Sequence, residues 1–486
     1  MGIGMVLDMA ADTHPDRLAF GGEADGMSYA QLRAAAAGGA RQLQDARQLV
    51  FIGANGPALP VLLFSAAAAA VPFVPLNYRL SAEQLRQLIG RLDKPLVVAD
   101  EAYVGVLAGC GAPVLTTDEF VARAKTGTGE AKDAPDDEVA IVLFTSGTTA
   151  APKGVLLRHH NLVSYLLQTV EFAAADPDDA ALVSTPPYHI AGMSQLLSNL
   201  YTGRRMVYLP DFTPEGWLET VRRENVGTAM VVPTMLARIV EHLDGAKAEV
   251  PSLRSLAYGG ARMPLPVLEK ALELFPDTGF VNAYGLTETS STIAVLGPED
   301  HREAIADPAL RARLGSVGRP VPGVEAQIRD EAGTVLPEGR AGLLFVRGAQ
   351  VSGEYLEQGT SLDDDGWFPT RDQARLEDGF LYLDGRADDT IIRGGENISP
   401  AEIEDVLLTH PAVREVAVVG LPDEEWGERT GAFVVVGAEV AAQELRDFVR
   451  ARLRGSRTPD EVHFVTELPR TPTGKLVRRT LIADFS

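Results

Sequence analysis

The sequence predicts an α/β protein. It reads as a large N-terminal domain of layered α/β subdomains with a β-barrel-like subdomain, followed by a small α+β C-terminal domain. Three observations carry that reading. Short apolar runs closed by Gly or Pro alternate with helical stretches in the first half of the chain, the pattern of a mostly parallel sheet with helices on its faces. From Gly315 onward Gly and Pro become frequent around runs such as Gly342-Leu343-Leu344-Phe345-Val346, which suits antiparallel strands. Near Gly385-Arg386-Ala387-Asp388-Asp389 the texture changes again, leaving a C-terminal segment long enough for a small domain. The domain boundaries follow as 1–386 and 387–486.

The elements come in order. The spacing predicts an Ala-rich helix over 33–47 and a buried parallel strand at Leu49-Val50-Phe51-Ile52-Gly53. A helix over 62–70 and an extended piece over 71–76 follow. Ser81 and Gln84 form a capping-box pattern opening a helix over 81–92, and a strand comes at 96–99. The polar stretch 126–137 is an exposed loop, and 139–144 is a strand. A helix can start at Arg158, followed by a strand at 181–184, a helix over 213–224, a strand at 229–232 and a helix over 233–242. The last domain reads as a helix over 400–409, strands at 413–419 and 431–436, a helix over 441–453 and a polar tail.

Composition excludes several functions. The 486 residues carry 44 Lys and Arg against 67 Asp and Glu, a net charge of −23, with no basic run. Such a surface repels nucleic acid and anionic lipid. Cys110 is the single cysteine, so an intramolecular disulfide and a cysteine-built metal site are out. The most apolar stretch, 61–76, is interrupted by Ser65, Pro72 and Pro75, short of the roughly 20 apolar residues of a membrane helix. The N-terminus has no basic region before an apolar core, so a cytoplasmic location is expected.

Four segments carry chemistry. Phe144-Thr145-Ser146-Gly147-Thr148-Thr149-Ala150-Ala151-Pro152-Lys153-Gly154 follows a strand. Its hydroxyls, small residues and free N–H groups suit a polyphosphate, with Lys153 as a point charge. It also reads as a solvated loop, and it is not a Walker A sequence. Asn282-Ala283-Tyr284-Gly285-Leu286-Thr287-Glu288-Thr289 sits at a strand end, where open α/β sheets bind ligands. There Glu288 suits magnesium, which takes one or two carboxylates plus phosphate oxygens, and Tyr284 offers a flat face to a purine. Trp367-Phe368-Pro369-Thr370-Arg371-Asp372 places a carboxylate suited to ribose hydroxyls, or simply a turn former. Pro469-Arg470-Thr471-Pro472-Thr473-Gly474-Lys475-Leu476 holds the one lysine beyond Lys270 in an Arg-rich region. Its flexible ammonium suits a charge that swings into a reaction centre.

In this order and at these separations, with Pro75-Leu76-Asn77 and Gly385-Arg386 also in place, the segments resemble the adenylate-forming superfamily of acyl- and aryl-CoA synthetases, peptide-synthetase adenylation domains and firefly luciferase. The resemblance covers essentially the whole chain. It implies two steps. A carboxylate attacks the α-phosphate of ATP to give acyl-AMP and pyrophosphate; a thiol then displaces AMP, and a mobile C-terminal domain rotates between the steps. It further implies that Thr145, Ser146, Gly147, Thr148, Thr149 and Lys153 hold the phosphates. Thr287 contacts the α-phosphate and Glu288 the magnesium. Gly259, Gly260, Ala261, Asn282 and Tyr284 surround adenine, and Asp372 and Arg386 bind ribose. Lys475 bridges the carboxylate and the α-phosphate, Asp388 is the hinge, and Gly395 lines the thiol tunnel. Two positions depart from the resemblance, which expects Gly at both: Ala150 in the phosphate loop and Arg371 before Asp372.

By the same resemblance His189, Gly192, Val232, Ala283 and Gly285 form the acyl pocket. These positions are mostly small or apolar, so a hydrophobic acid is expected, a medium or long fatty acid or a bulky alicyclic one. Malonate-activating relatives place Arg where this chain has Ala283, which disfavours a second carboxylate unless Arg262 points inward. Coenzyme A is the expected thiol, because Leu421-Pro422-Asp423-Glu424-Glu425-Trp426-Gly427-Glu428 resembles acyl-CoA synthetases. ATP, magnesium and coenzyme A are thus the implied cofactors and co-substrates. The alternatives are a stand-alone enzyme loading a carrier protein and a non-catalytic ATP or acyl-AMP binder. A homodimer is compatible with all three.

Overall fold

The computed structural model describes all residues except 23–25, 130, 133, 146–151, 395, 424–425, 454, 471–475 and 486, with backbone alone for 397, 484 and 485. Two large sheets dominate. One runs, by hydrogen-bonded neighbours, through Gly359–Thr360, Glu354–Tyr355, Lys153–Arg158, Val139–Thr145, Phe73–Pro75, Gln48–Ile52, Pro95–Ala99 and Val114–Thr116. Its last five strands are parallel, and all but the edge strand Val114–Thr116 bury their apolar runs on both faces. The other has nine strands, centred on Ala180–Val183, Val226–Val231, Ser255–Gly259 and Gly279–Leu286, all parallel to their neighbours in that group. The helices Tyr29–Ala40 and Ala58–Ala69 pack into the core between layers, as their Ala-rich sequences allow.

The barrel-like segment is a four-stranded antiparallel sheet in the order Glu325–Arg329, Gly342–Arg347, Phe368–Glu377, Phe380–Arg386. After Arg386 a five-stranded sheet begins, with Val413–Asp423 paired antiparallel to Gly427–Val436 and the helix Pro400–Leu408 against it. Among the described residues no helix is long and apolar enough to cross a membrane.

The expected elements are present with small shifts at their ends, and two expectations need correction. The helix expected to begin at Arg158 is preceded by the strand Lys153–Arg158, which returns antiparallel along Val139–Thr145; the helix is His159–Thr169. The C-terminal tail is not merely polar. It contains the strand Glu461–Phe464, paired parallel to Gly427–Val436, and the helix Arg478–Phe485. Both rest on tertiary pairing rather than on strong hydrophobic periodicity.

The capping box is formed as read. Ser81 accepts from the Gln84 N–H at 3.3 Å, and Gln84 accepts from the Ser81 N–H at 3.0 Å, opening the helix Ala82–Ile89. Ser81→Ala removes one of these bonds and should cost about 1 kcal/mol. A lowered urea midpoint with unchanged specific activity is the expected outcome.

Candidate active site

Side-chain contacts link the motif-bearing segments of the nine-stranded sheet, of the hairpin formed by Val139–Thr145 and Lys153–Arg158, and of the four-stranded sheet. Thr145 ends its strand opposite Lys153, its register partner across the hairpin. Lys153 Nζ stands 5.4 Å from the centre of the Tyr355 ring, a cation–π arrangement. The Tyr355 hydroxyl donates to Glu288 Oε1 at 2.9 Å. Burial, then the neighbouring Glu288 carboxylate, push this phenol's pKa upward, so it remains a donor. The Glu288 carbonyl is held from the other side by the N–H groups of Ser352 at 2.8 Å and Gly353 at 3.1 Å. A single row thus joins the base of the phosphate loop to the expected magnesium carboxylate. Tyr355 was not singled out in the sequence, because it lies in a two-residue strand with no periodicity of its own.

Thr287 and Glu288 occupy a 3-10 turn that ends the strand Gly279–Leu286. Ser290 and Ser291 follow at φ 56° and 109°, so the chain doubles back tightly. A Cβ at Gly285 would fall 1.8 Å from the Ser291 carbonyl oxygen, so only Gly permits this return. Thr289 Oγ1 accepts from Leu286 N at 3.0 Å, and Gln350 Nε2 donates to the Thr289 and Thr292 carbonyls at 3.0 and 2.8 Å.

The second group centres on Asp372, which is buried. The Tyr284 hydroxyl donates to its Oδ2 at 2.5 Å, and Arg386 donates to its Oδ1 at 3.2 Å. Asp372 and Arg386 are register partners on adjacent strands, so the sheet itself sets this pair. Burial, then the Asp372 carboxylate, raise the Tyr284 pKa well above its ordinary value. Asn282 donates to the Ser316 carbonyl at 3.3 Å. Gly259 pairs with Ala283 in the sheet, and Gly260 follows at φ +83° with Ala261 exposed beyond it.

Arg371 has φ +64°, a left-handed conformation uncommon for a residue with a Cβ. Its exposed side chain points at the expected hinge residue, with Nη1 3.8 Å from Asp388 Oδ2. At this departure from the resemblance the side chain thus forms an ion pair with Asp388. Arg262 does not point inward; it pairs with Asp405 on the helix Pro400–Leu408. Ser146, Gly147, Thr148, Thr149, Ala150, Gly395 and Lys475 lie outside the described residues.

A cavity of ≈ 260 Å³ lies between the nine-stranded sheet and the helix Ile190–Thr202. Ala181, Ala257 and Ala283, on one face of the sheet with Thr228, Met230 and Val281, make its floor; the small alanine side chains leave the space. Of the residues assigned to the acyl pocket by resemblance, Ala283 and Gly285 line this cavity. His189, Gly192 and Val232 do not. His189 precedes the helix, its ring 4.8 Å from Tyr188, and Val232 stands beside Gly260. Tyr188 is buried against Tyr78, and its phenol is pushed up to about 12, chiefly by burial. The opposite wall carries Ser194, Gln195, Ser198 and Asn199, which composition alone would assign to a solvent face.

Among the described residues no group of three or more His, Cys, Asp or Glu side chains could hold a metal by itself. Glu288, linked through Tyr355 to Lys153, fits an ion that takes most of its ligands from phosphate and water, as magnesium does.

The profile of the AMP-binding enzymes matches residues 7–356, and that of the AMP-binding enzyme C-terminal domain matches residues 402–475. A 2-succinylbenzoate–CoA ligase of Bacillus cereus is 33% identical over 433 residues, 88% of this chain and 86% of that protein. A feruloyl-CoA synthase of Amycolatopsis is 32% identical over 445 residues, 89% of this chain and 87% of that one. The structure of the Bacillus subtilis o-succinylbenzoate coenzyme A synthetase with ATP and magnesium superposes with a TM-score of 0.85 at 29% identity, covering 98% of each chain. The chain belongs to the AMP-binding enzyme family. Within that family it is an acid–thiol ligase of the acyl-CoA synthetase kind.

Tyr355→Phe deletes the hydroxyl that orients Glu288 and keeps the ring beneath Lys153. Hydrogen bonds to charged groups contribute about 1.5–3 kcal/mol, so magnesium–ATP affinity should fall about tenfold or more. Calorimetric titration of wild type and variant measures it.

Proposed function

We propose that the chain is an AMP-forming acyl-CoA ligase for a compact, largely hydrophobic acid, either carbocyclic or of medium chain length. The observation that carries the reading is the convergence of two groups on one cleft: Lys153–Tyr355–Glu288 for the phosphates and metal, and Tyr284–Asp372–Arg386 for the nucleoside. The adjoining cavity supplies the acid's site. Its ≈ 260 Å³ falls just below the about 300–1,000 Å³ usual for small-molecule sites, which favours a compact acid over a long alkyl chain.

In the first half-reaction the acid's carboxylate attacks the α-phosphorus of ATP, and pyrophosphate leaves. Two anions must meet, so oriented donors and cations are needed where charge builds up. Lys153 and the phosphate loop, Thr145 to Thr149, hold the β- and γ-phosphates, and Thr287 contacts the α-phosphate. Asp372 and Arg386 fix the ribose; Gly259 to Ala261, Asn282 and Tyr284 enclose adenine. Glu288 would hold magnesium, which when bound would supply positive charge against the phosphates. Lys475 completes the site from the C-terminal domain, which spans 387–486 and turns about Asp388. In the second half-reaction the thiol of coenzyme A reaches the acyl carbon along a path lined by Gly395 and displaces AMP.

The test separates the two halves. Wild type, given ATP, magnesium and a panel of carboxylic acids, should release AMP in a coenzyme A-dependent manner. Lys475→Ala should lose acyl-AMP formation by about 10²–10³-fold yet largely keep thioester formation from supplied acyl-AMP. Equal loss in both halves would contradict the assigned role of Lys475. AMP release that depends on a carrier protein instead would replace coenzyme A as acceptor.

A further inference from the structure

The wall of the cavity formed by the helix Ile190–Thr202 is polar, and its hydrogen bonds can be followed donor by donor. Ser194 Oγ donates to the Ala191 carbonyl at 3.2 Å, and Ser291 Oγ donates to Ser194 Oγ at 3.1 Å. Asn199 Nδ2 donates to the Gln195 carbonyl at 2.8 Å. These donors are used within the protein. Gln195 differs. One end of its side-chain amide, Oε1, accepts from Thr185 Oγ1 at 3.2 Å, which turns the other end away from Thr185. That other end, Nε2, is buried and has no hydrogen-bond partner, although the side chain lines the cavity.

A buried amide group without a partner is rare in a folded protein, and where one occurs at a cavity wall a ligand or water atom usually completes it. An all-hydrocarbon acid would leave the Gln195 donors unpaired and would displace any water that served them. Gln195 lies five residues after Ile190, about 7.5 Å along the helix from its start, which also lines the cavity. The chemistry wanted at that depth is an oxygen, separated from the reacting carboxylate by a short carbon frame. A neutral oxygen fits better than a second carboxylate. The guanidinium at the cavity's edge, Arg204, is already paired with the buried carboxylate of Asp179 at 2.9 Å.

Resting on the ligase reading above, we propose that the preferred acid bears a hydroxyl or carbonyl oxygen remote from its carboxylate, and that Gln195 selects for it. The cavity thus sets a largely apolar sheet face against a polar helix wall in which the Gln195 amide nitrogen is the buried group without a partner. A site built to hydrogen-bond a substrate oxygen rejects the analogue lacking it far more strongly than a hydrophobic pocket rejects an extra methylene.

The experiment compares matched acids in coenzyme A-dependent AMP release: cinnamate with 4-hydroxycinnamate, and octanoate with 7-oxooctanoate. In wild type kcat/KM should favour the oxygenated member of a pair by about tenfold or more. Gln195→Met, close in shape but without the amide, should bring that ratio near one. Gln195→Glu, which substitutes acceptors for donors, should depress the keto acid most, and it serves as an independent variant should Gln195→Met fold poorly. Equal rates within both pairs in wild type, or a preference that survives Gln195→Met, overturns this inference and leaves the ligase reading standing. A wild-type chain that makes neither acyl-AMP nor acyl-CoA from any of the four acids overturns both.

Discussion

The Asp372 carboxylate is the point on which the cleft is assembled. It is buried where an unpaired charge would be costly, and it is held by a phenol from one sheet and a guanidinium from another strand of its own sheet. Tyr284 extends from the nine-stranded sheet and Asp372 and Arg386 from the four-stranded one, so the hydrogen bond between them fixes how the two subdomains meet. Removing one partner of such a buried pair typically costs about 3–5 kcal/mol, because the remaining charge is stranded. The same geometry leaves a rigid carboxylate where the proposed function places the ribose. Stability and recognition therefore rest on one register, Asp372 opposite Arg386.

Charge is distributed to the same end. A chain with a net charge of −23 has to concentrate its cations where anions must meet. Lys153, Arg386 and Arg371 do so along one side of the cleft. Both Arg371 and Arg386 act on Tyr355, lowering the pKa that burial and Glu288 raise. Arg371 also ties that side to Asp388, where the chain passes into the C-terminal sheet. The left-handed backbone at Arg371 carries a strain of about 1–3 kcal/mol, which its surroundings offset. Arg262 and Asp405 add a second ion pair between the large domain and the C-terminal helix.

Much of this was legible in the sequence. Local signals were read well: the Ser81 and Gln84 box, the Gly-closed strand read at 49–53 and found at Gln48–Ile52, and the strand end that carries Glu288; Asp372 instead falls in the middle of the strand Phe368–Glu377. What escaped depends on contacts distant in the chain. The strand Lys153–Arg158 exists because it pairs with Val139–Thr145, and its own six residues do not announce a period. Tyr355 matters because it touches Glu288, 67 positions away. The polar stripe at Ser194, Gln195, Ser198 and Asn199 has the spacing of a solvent-facing helix side, yet that side meets an internal cavity. Periodicity reports which residues share a face and cannot report what the face meets.

The central claim is that the Tyr284–Asp372–Arg386 group binds the nucleotide from which the acid is activated. The direct measurement is AMP release by wild type and Asp372→Asn as ATP is varied at saturating acid and coenzyme A. The account predicts that kcat/KM for ATP falls at least about tenfold, as expected when a charge-assisted hydrogen bond is lost, while KM for the acid changes little. An unchanged dependence on ATP in a folded Asp372→Asn variant would contradict it.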